Sequence, residues 1–160
     1  RRIIEPVSIL ISEYYFYLNA YIVEKNQVGK YIHKYDYPAI FRLDRIESYR
    51  KLDTKFRIPY ASRFEEGEFR KRVQFMYPGE LMKIRVKYFD KNPEPVLDRL
   101  PTAEIVEQFD DATLIEAEVC GKGIIMWLLS QGNRIEVVYP ESLRQEIKKQ
   151  LMEMLERYSV

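Results

Sequence analysis

Hydrophobic and polar positions change their period once along this chain. In the first half, apolar residues come in short runs: 7–11 is β-branched and apolar, 14–23 is aromatic with partial alternation, and 39–49 is a third run beyond a polar turn at 24–29. A period near two predicts strands, and no helix start or stop signal interrupts them. Successive strands of this length joined by turns predict a small antiparallel barrel or sandwich. From 53 to 79 the period is lost. Pro59, Gly67, Pro78 and Gly79 punctuate a connector with one short amphipathic helical turn near 64–75.

The second half is regular. Leu81, Lys83, Arg85 and Lys87 alternate with Met82, Ile84, Val86 and Tyr88, the pattern of a half-buried strand over 81–89. A short helix is predicted at 95–100, then a hairpin of 105–109 and 113–119 around Asp110-Asp111-Ala112. Residues 122–131 leave almost no polar face, which predicts a buried helix, with Gly132-Asn133 as its left-handed C-terminal cap. A strand over 135–139 comes next. Ser142 and Gln145 have capping-box spacing, and Leu143, Ile147, Leu151, Met154 and Tyr158 form a stripe at helical spacing, so the chain closes on an amphipathic helix. The order βαββαβ plus a terminal helix is the ferredoxin-like plan.

Composition restricts the function classes. A chain of 160 residues that is 46% hydrophobic can bury a real core, and its length allows two small domains, predicted at 1–77 and 80–160 around the Pro78-Gly79 turn. One cysteine, Cys120, and one histidine, His33, supply neither an internal disulfide nor an ordinary zinc site, so no metal or other cofactor is expected and a reducing, cytoplasmic location fits. No apolar run reaches the roughly 18 residues that cross a bilayer, so no membrane partner is expected. The first residue is not Met, which fits a piece of a longer chain. No triad, Gly-rich phosphate loop or nucleophile elbow is present, and Asp110-Asp111 reads as turn residues, so no enzyme is expected.

The net charge of +1 conceals an asymmetry. Residues 1–79 carry 15 Lys+Arg against 10 Asp+Glu and ten of the 13 tyrosines, while 80–160 carry 11 against 15. A basic, Tyr-rich half points to a polyanion or a base-stacking ligand there; the alternative is that both halves are ordinary solvated surfaces. Arg70-Lys71-Arg72 has the same two readings. On a strand through 16–21, parity puts Phe16, Leu18 and Ala20 on the core face and leaves Tyr17 and Tyr21 on the other, free to stack on a base or bond a phosphate. In the run 41–46, Phe41 and Leu43 take the core parity, Arg42 and Asp44 the other, and Arg45 faces outward only if the strand bends after Leu43, a bend that Asp44 favours. Two guanidinium forks would bind phosphate oxygens bidentately; alternatively Asp44 clamps one or both arginines.

Phe16-Tyr17-Leu18 followed by Phe41-Arg42-Leu43-Asp44-Arg45-Ile46 resembles the WYL-domain family of bacterial transcriptional regulators, with Phe16 in the place of the family's Trp. The stretch from Met126 through Pro140, with Leu143-Arg144 and the last helix, resembles the C-terminal extension that accompanies many WYL domains. The resemblance narrows the first half to an Sm-like or SH3-like barrel, and the whole to an α+β chain of barrel plus ferredoxin-like domain. It implies a ligand-sensing module that binds a nucleotide-like or single-stranded nucleic-acid effector through Tyr17, Arg42 and Arg45. Such a module would control a DNA-binding helix-turn-helix carried N-terminal to this chain, and would act as a homodimer. Where many members have a further Arg before the second signature, this chain has Pro38-Ala39-Ile40, so Arg2, Lys34 or His33 would have to supplement the site. The rival reading is an oligomerisation scaffold without an effector, in which the basic half pairs with the acidic half of a neighbour.

Overall fold

The computed structural model describes residues 1–12, 14–57 and 65–159. The described residues form an α+β fold, with two antiparallel four-stranded sheets and a C-terminal helix. It divides into two compact units, residues 1–68 with 78–80 and residues 69–77 with 81–160.

In the first unit, β1 (Ile3–Ser12) and β2 (Tyr15–Lys25) form a long hairpin, with a register shift between Pro6 and Ser8. Pro6 has no N–H for the ladder, and an irregularity on an edge strand is where that omission is tolerated. Two shorter strands, β3 (Tyr31–His33) and β4 (Ala39–Arg42), both pair with the other edge of β2, β3 at Val23–Lys25 and β4 at Tyr17–Ala20. The expected Sm-like or SH3-like barrel is therefore not formed: among the described residues no sheet closes. The reason is length. Strands of three and four residues lying end to end along one edge cannot carry the ladder round to β1, as closure requires. The run expected to continue to 49 also stops at Arg42, where Leu43–Arg45 turns into a single 3-10 turn. The expected helical turn near 64–75 is α1 (Glu66–Arg72); the part of that expectation over 58–64 lies outside the described residues.

An open sheet also changes which face is covered. Phe16, assigned to the core by parity, is 55% exposed, while Ala20 on the same face and Asn19 on the opposite face are both fully buried. Burial here is concentrated at the middle of the sheet on both faces, with Leu10 and Val23 joining Asn19 and Ala20. The Asn19 amide nitrogen donates to Ser8 Oγ at 3.1 Å, and its Oδ1 has no partner.

The second unit has the predicted βαββαβ order with a terminal helix: β5 (Leu81–Tyr88), α2 (Glu94–Arg99), β6 (Glu104–Gln108), β7 (Thr113–Cys120), α3 (Gly123–Ser130), β8 (Ile135–Tyr139) and α4 (Glu141–Tyr158). Its sheet order is β6-β7-β5-β8. Alternation along β5 and β7 sends Ile84, Val86, Tyr88, Ile115, Ala117 and Val119 into one core, which Val96 of α2, Leu100 at its C-cap, and Ile124, Trp127 and Leu128 of α3 complete. The other face of the sheet is a ladder of opposite charges, with Lys83 Nζ 2.8 Å and Arg85 Nε 2.7 Å from the Glu116 carboxylate. Gly132 has φ +63°, the left-handed cap the sequence predicts for α3. The capping box of α4 does not form, because the helix begins two residues earlier than a Ser142 cap requires, at Glu141 with Pro140 as N-cap, which puts Ser142 inside the first turn.

Residues 69–77, C-terminal in the stretch read as a connector and inside the predicted 1–77 domain, pack with the second unit. Val73 forms a parallel bridge to Cys120, Arg72 donates to Glu118 Oε2 through Nε at 3.1 Å and Nη2 at 3.0 Å, and Gln74 is 4% exposed. One member of the basic triplet thus belongs to an ion pair.

Candidate functional site

Tyr17 of β2 stands directly opposite Arg42 of β4, so both side chains leave the same face of the sheet. On the other flank of β2, Leu10 of β1 is the direct cross-strand partner of Tyr17 and is buried. Because β4 ends at Arg42, the 3-10 turn brings Asp44 back to the Arg42 side chain. Nε of Arg42 donates to Asp44 Oδ1 at 2.8 Å and Nη2 to Oδ2 at 2.7 Å, a bidentate pair. The guanidinium carbon lies 3.7 Å from the centroid of the Tyr15 ring, a close cation–π stack.

The arrangement therefore brings Tyr17 and Arg42 together as predicted and adds Tyr15. Parity could have found Tyr15, since it sits two residues before Tyr17 on the same strand. Arg45 occupies the end of the 3-10 turn, exposed, and its charge reaches Asp44 as a minor influence. The chain turns after Arg42, one residue before the bend after Leu43 that the sequence predicts. The three supplementary groups go elsewhere. Arg2 lies 5.8 Å from the Phe41 ring centroid, Lys34 pairs with Glu24, and His33 Nε2 is 2.9 Å from Glu5 Oε2. The His33 ring also stacks on Tyr21 at 4.2 Å, nearly parallel, and burial pushes the Tyr21 hydroxyl up.

Hydrogen bonding to Arg42 holds the Asp44 carboxyl below the usual aspartate range, and the same bond raises Arg42. A depressed carboxyl stabilises the fold above its unfolded value of about 3.9 and loses that contribution as pH falls through its lower folded value. A carbon-detected NMR titration is therefore expected to place the Asp44 midpoint below that of a free aspartate, with Arg42→Ala returning it upward. An Asp44 midpoint unchanged by Arg42→Ala would mean that the pair does not persist in solution.

No groups of His, Cys, Asp or Glu suited to hold a metal ion occur among the described residues, and none of their helices is long and apolar enough to cross a membrane. Burial raises the Cys120 thiol, which disfavours the reactive thiolate. In the second unit an open depression of about 300 Å³ lies along α4, lined by Gln145, Lys148, Lys149, Met152, Glu153 and Glu156.

Residues 80–155 match the family model of the WCX domain, the C-terminal extension found in WYL-domain transcription regulators. The match covers the sheet and helices of the second unit and begins just after residues 69–77. No WYL domain is detected in the chain. No curated protein matches it. The second unit is thus similar to a module of transcription regulators, which implies a non-catalytic role.

Proposed function

We propose that the chain is the effector-sensing part of a WYL/WCX-type transcription regulator, with a degenerate WYL domain before a ferredoxin-like WCX domain. Its effector is nucleotide-like or single-stranded nucleic acid, and its output is the arrangement of a DNA-binding helix-turn-helix attached N-terminally. The match over 80–155 supports the regulator class. The observation that supports the site is the Arg42 corner, where a guanidinium is stacked on Tyr15, stands across from Tyr17 and is engaged by Asp44.

In this reading Asp44 occupies the place of an effector phosphate. A phosphate offers the same pair of anionic oxygens to the Arg42 fork, and displacing Asp44 from it frees the Leu43–Arg45 turn, so that Arg45 swings to the same anion. Tyr17 and Tyr15 supply rings on which a base stacks, worth roughly 1–3 kcal/mol per base. Occupied and empty states then differ in the conformation of one turn, which is the differential contact that sensing requires.

The test is fluorescence anisotropy with labelled short single-stranded DNA and RNA, and with nucleotides as competitors. Each charge-assisted contact is worth roughly 1.5–3 kcal/mol, so Arg42→Ala is expected to weaken binding by about ten- to a hundredfold, and Arg45→Ala by less. Asp44→Asn is expected to tighten it, because the competing carboxylate is gone. Tyr17→Phe keeps stacking and removes only a hydroxyl bond. Binding should also weaken with salt. Saturable binding that none of these substitutions changes, or no binding at all, would leave Arg42–Asp44 as a structural clamp and favour the scaffold reading.

A further inference from the structure

The chain enters residues 69–77 from the first unit at Glu68 and returns to that unit at Pro78, while the segment between packs with the second unit. It is held along a bare length of β7. β5 pairs with one flank of β7 from Thr113 to Cys120, but on the other flank β6 reaches only Glu116. Beyond it, Thr102 Oγ1 accepts the Glu118 N–H at 3.1 Å and donates to the Glu118 carbonyl at 2.7 Å, and the Val73 bridge to Cys120 takes the last place. Arg72 donates to Glu118, and the Gln74 carbonyl lies against Gly123, where a Cβ would stand 1.9 Å from its oxygen. The Phe75 ring centroid is 5.1 Å from the Arg99 guanidinium carbon, and Val73, Gln74 and Cys120 are buried.

Against these contacts stands backbone strain. Phe75 and Met76 have φ of +51° and +56°, the left-handed region in which a Cβ crowds the following carbonyl. Among the described residues they are the only non-glycine positions there. Such strain persists only where surrounding contacts enforce it, so it is relieved when the segment leaves β7.

We propose that residues 69–77 are a strained latch on the second unit, which opens as a body while the rest of that unit stays folded and uncovers β7 at Cys120. Three features set it apart from ordinary packing. It joins the sheet through one bridge and not a ladder, leaving relieves its strain, and the chain on both sides of it belongs to the first unit. A displacement of Glu68 or Pro78 therefore pulls directly on the latch, which makes it a local two-state element whose population the first unit biases.

The experiment uses the whole chain, with its one cysteine as the reporter. Labelling of Cys120 by 5,5′-dithiobis(2-nitrobenzoate) is expected to be far slower than that of a free thiol. It should also be nearly independent of urea below the unfolding transition, because opening the latch exposes little surface. Hydrogen exchange read by mass spectrometry should show residues 72–77 exchanging faster than β5 and β7. Met76→Gly removes strain from the closed state and is expected to slow labelling about fivefold. Arg72→Ala loses the pair with Glu118 and is expected to speed it about five- to tenfold. Amide exchange over 72–77 does not depend on the ionisation of the thiol, and it should change in the same sense in each variant. Labelling as fast as a free thiol would mean that the latch is not closed, and labelling with the full urea dependence of unfolding would mean that it opens only with its unit. Either result overturns the proposal, as do rates that Met76→Gly leaves unchanged or raises. Should Arg72→Ala fail to fold, Met76→Gly decides the matter alone.

Discussion

Trp127→Ala is expected to destabilise the second unit by about 3–5 kcal/mol, the range for removing a large aromatic ring from a packed core. The ring is 6% exposed and belongs to the cluster that joins α3 to the sheet, together with Ile84, Ile115, Val119 and Leu128. Small domains are stable by only about 5–15 kcal/mol, so a loss of this size leaves the unit marginal. Urea unfolding followed by circular dichroism measures it. Trp127→Phe should recover part of the loss, because a smaller cavity remains. A Trp127→Ala protein that unfolds at the parent's midpoint would show that the ring is not a core anchor. If such a protein also lost effector binding, the ring would be a ligand platform instead.

Gly123→Ala is expected to cost about 3 kcal/mol, for the opposite reason. A Cβ at Gly123 would stand 1.9 Å from the carbonyl oxygen of Gln74 and 2.7 Å from its carbon, so the new methyl meets main chain, which cannot rotate away. Overpacking of a well-packed site ordinarily costs about 1–3 kcal/mol, and a clash with main chain belongs at the upper end. Relief requires either a shift of the start of α3 or the undocking of residues 69–77, which gives up the Val73 bridge to Cys120 and the Arg72–Glu118 pair. The smaller of those two costs sets the result. The only tryptophan of the chain lies one turn away in α3, so its fluorescence reports unfolding of this unit alone. Gly67→Ala is the control: a Cβ there meets nothing within 4 Å, and in α1 alanine is favoured over glycine by about 0.5–1 kcal/mol. If both variants unfold like the parent, Gln74 does not sit against α3 in solution.

Gly123 also shows where reading the sequence stops. In the sequence it is one glycine of a helix start, and residues 69–77 are a punctuated connector. Their contact joins positions about fifty residues apart and leaves no trace in the local pattern of either. The Pro78-Gly79 turn marks a change of style in the sequence, and the nine residues before it pack with the second unit.

At the candidate site the local signals carried further. Parity put Tyr17 and Arg42 on one face, and the tendency of Asp44 to leave extended structure predicted a bend within one residue of where the chain turns. What parity could not supply was the partner of each group: Tyr15 stacked on Arg42, Asp44 engaging its fork, His33 drawn to Glu5 and Tyr21.

By itself the sequence determined the elements of the second unit, their order and their buried faces, because alternation along β5 and β7 and the apolar run of α3 are each written within a few residues and have one core to serve. Only the tertiary structure decided that the first sheet stays open and that Phe16 is exposed while Asn19 is buried. It alone also decided that residues 69–77 dock on the second unit and that α4 outruns the core holding its first turns. A period of two distinguishes the faces of a strand, but which face loses its water depends on the chain that crosses it, and that is a property of contacts distant in sequence.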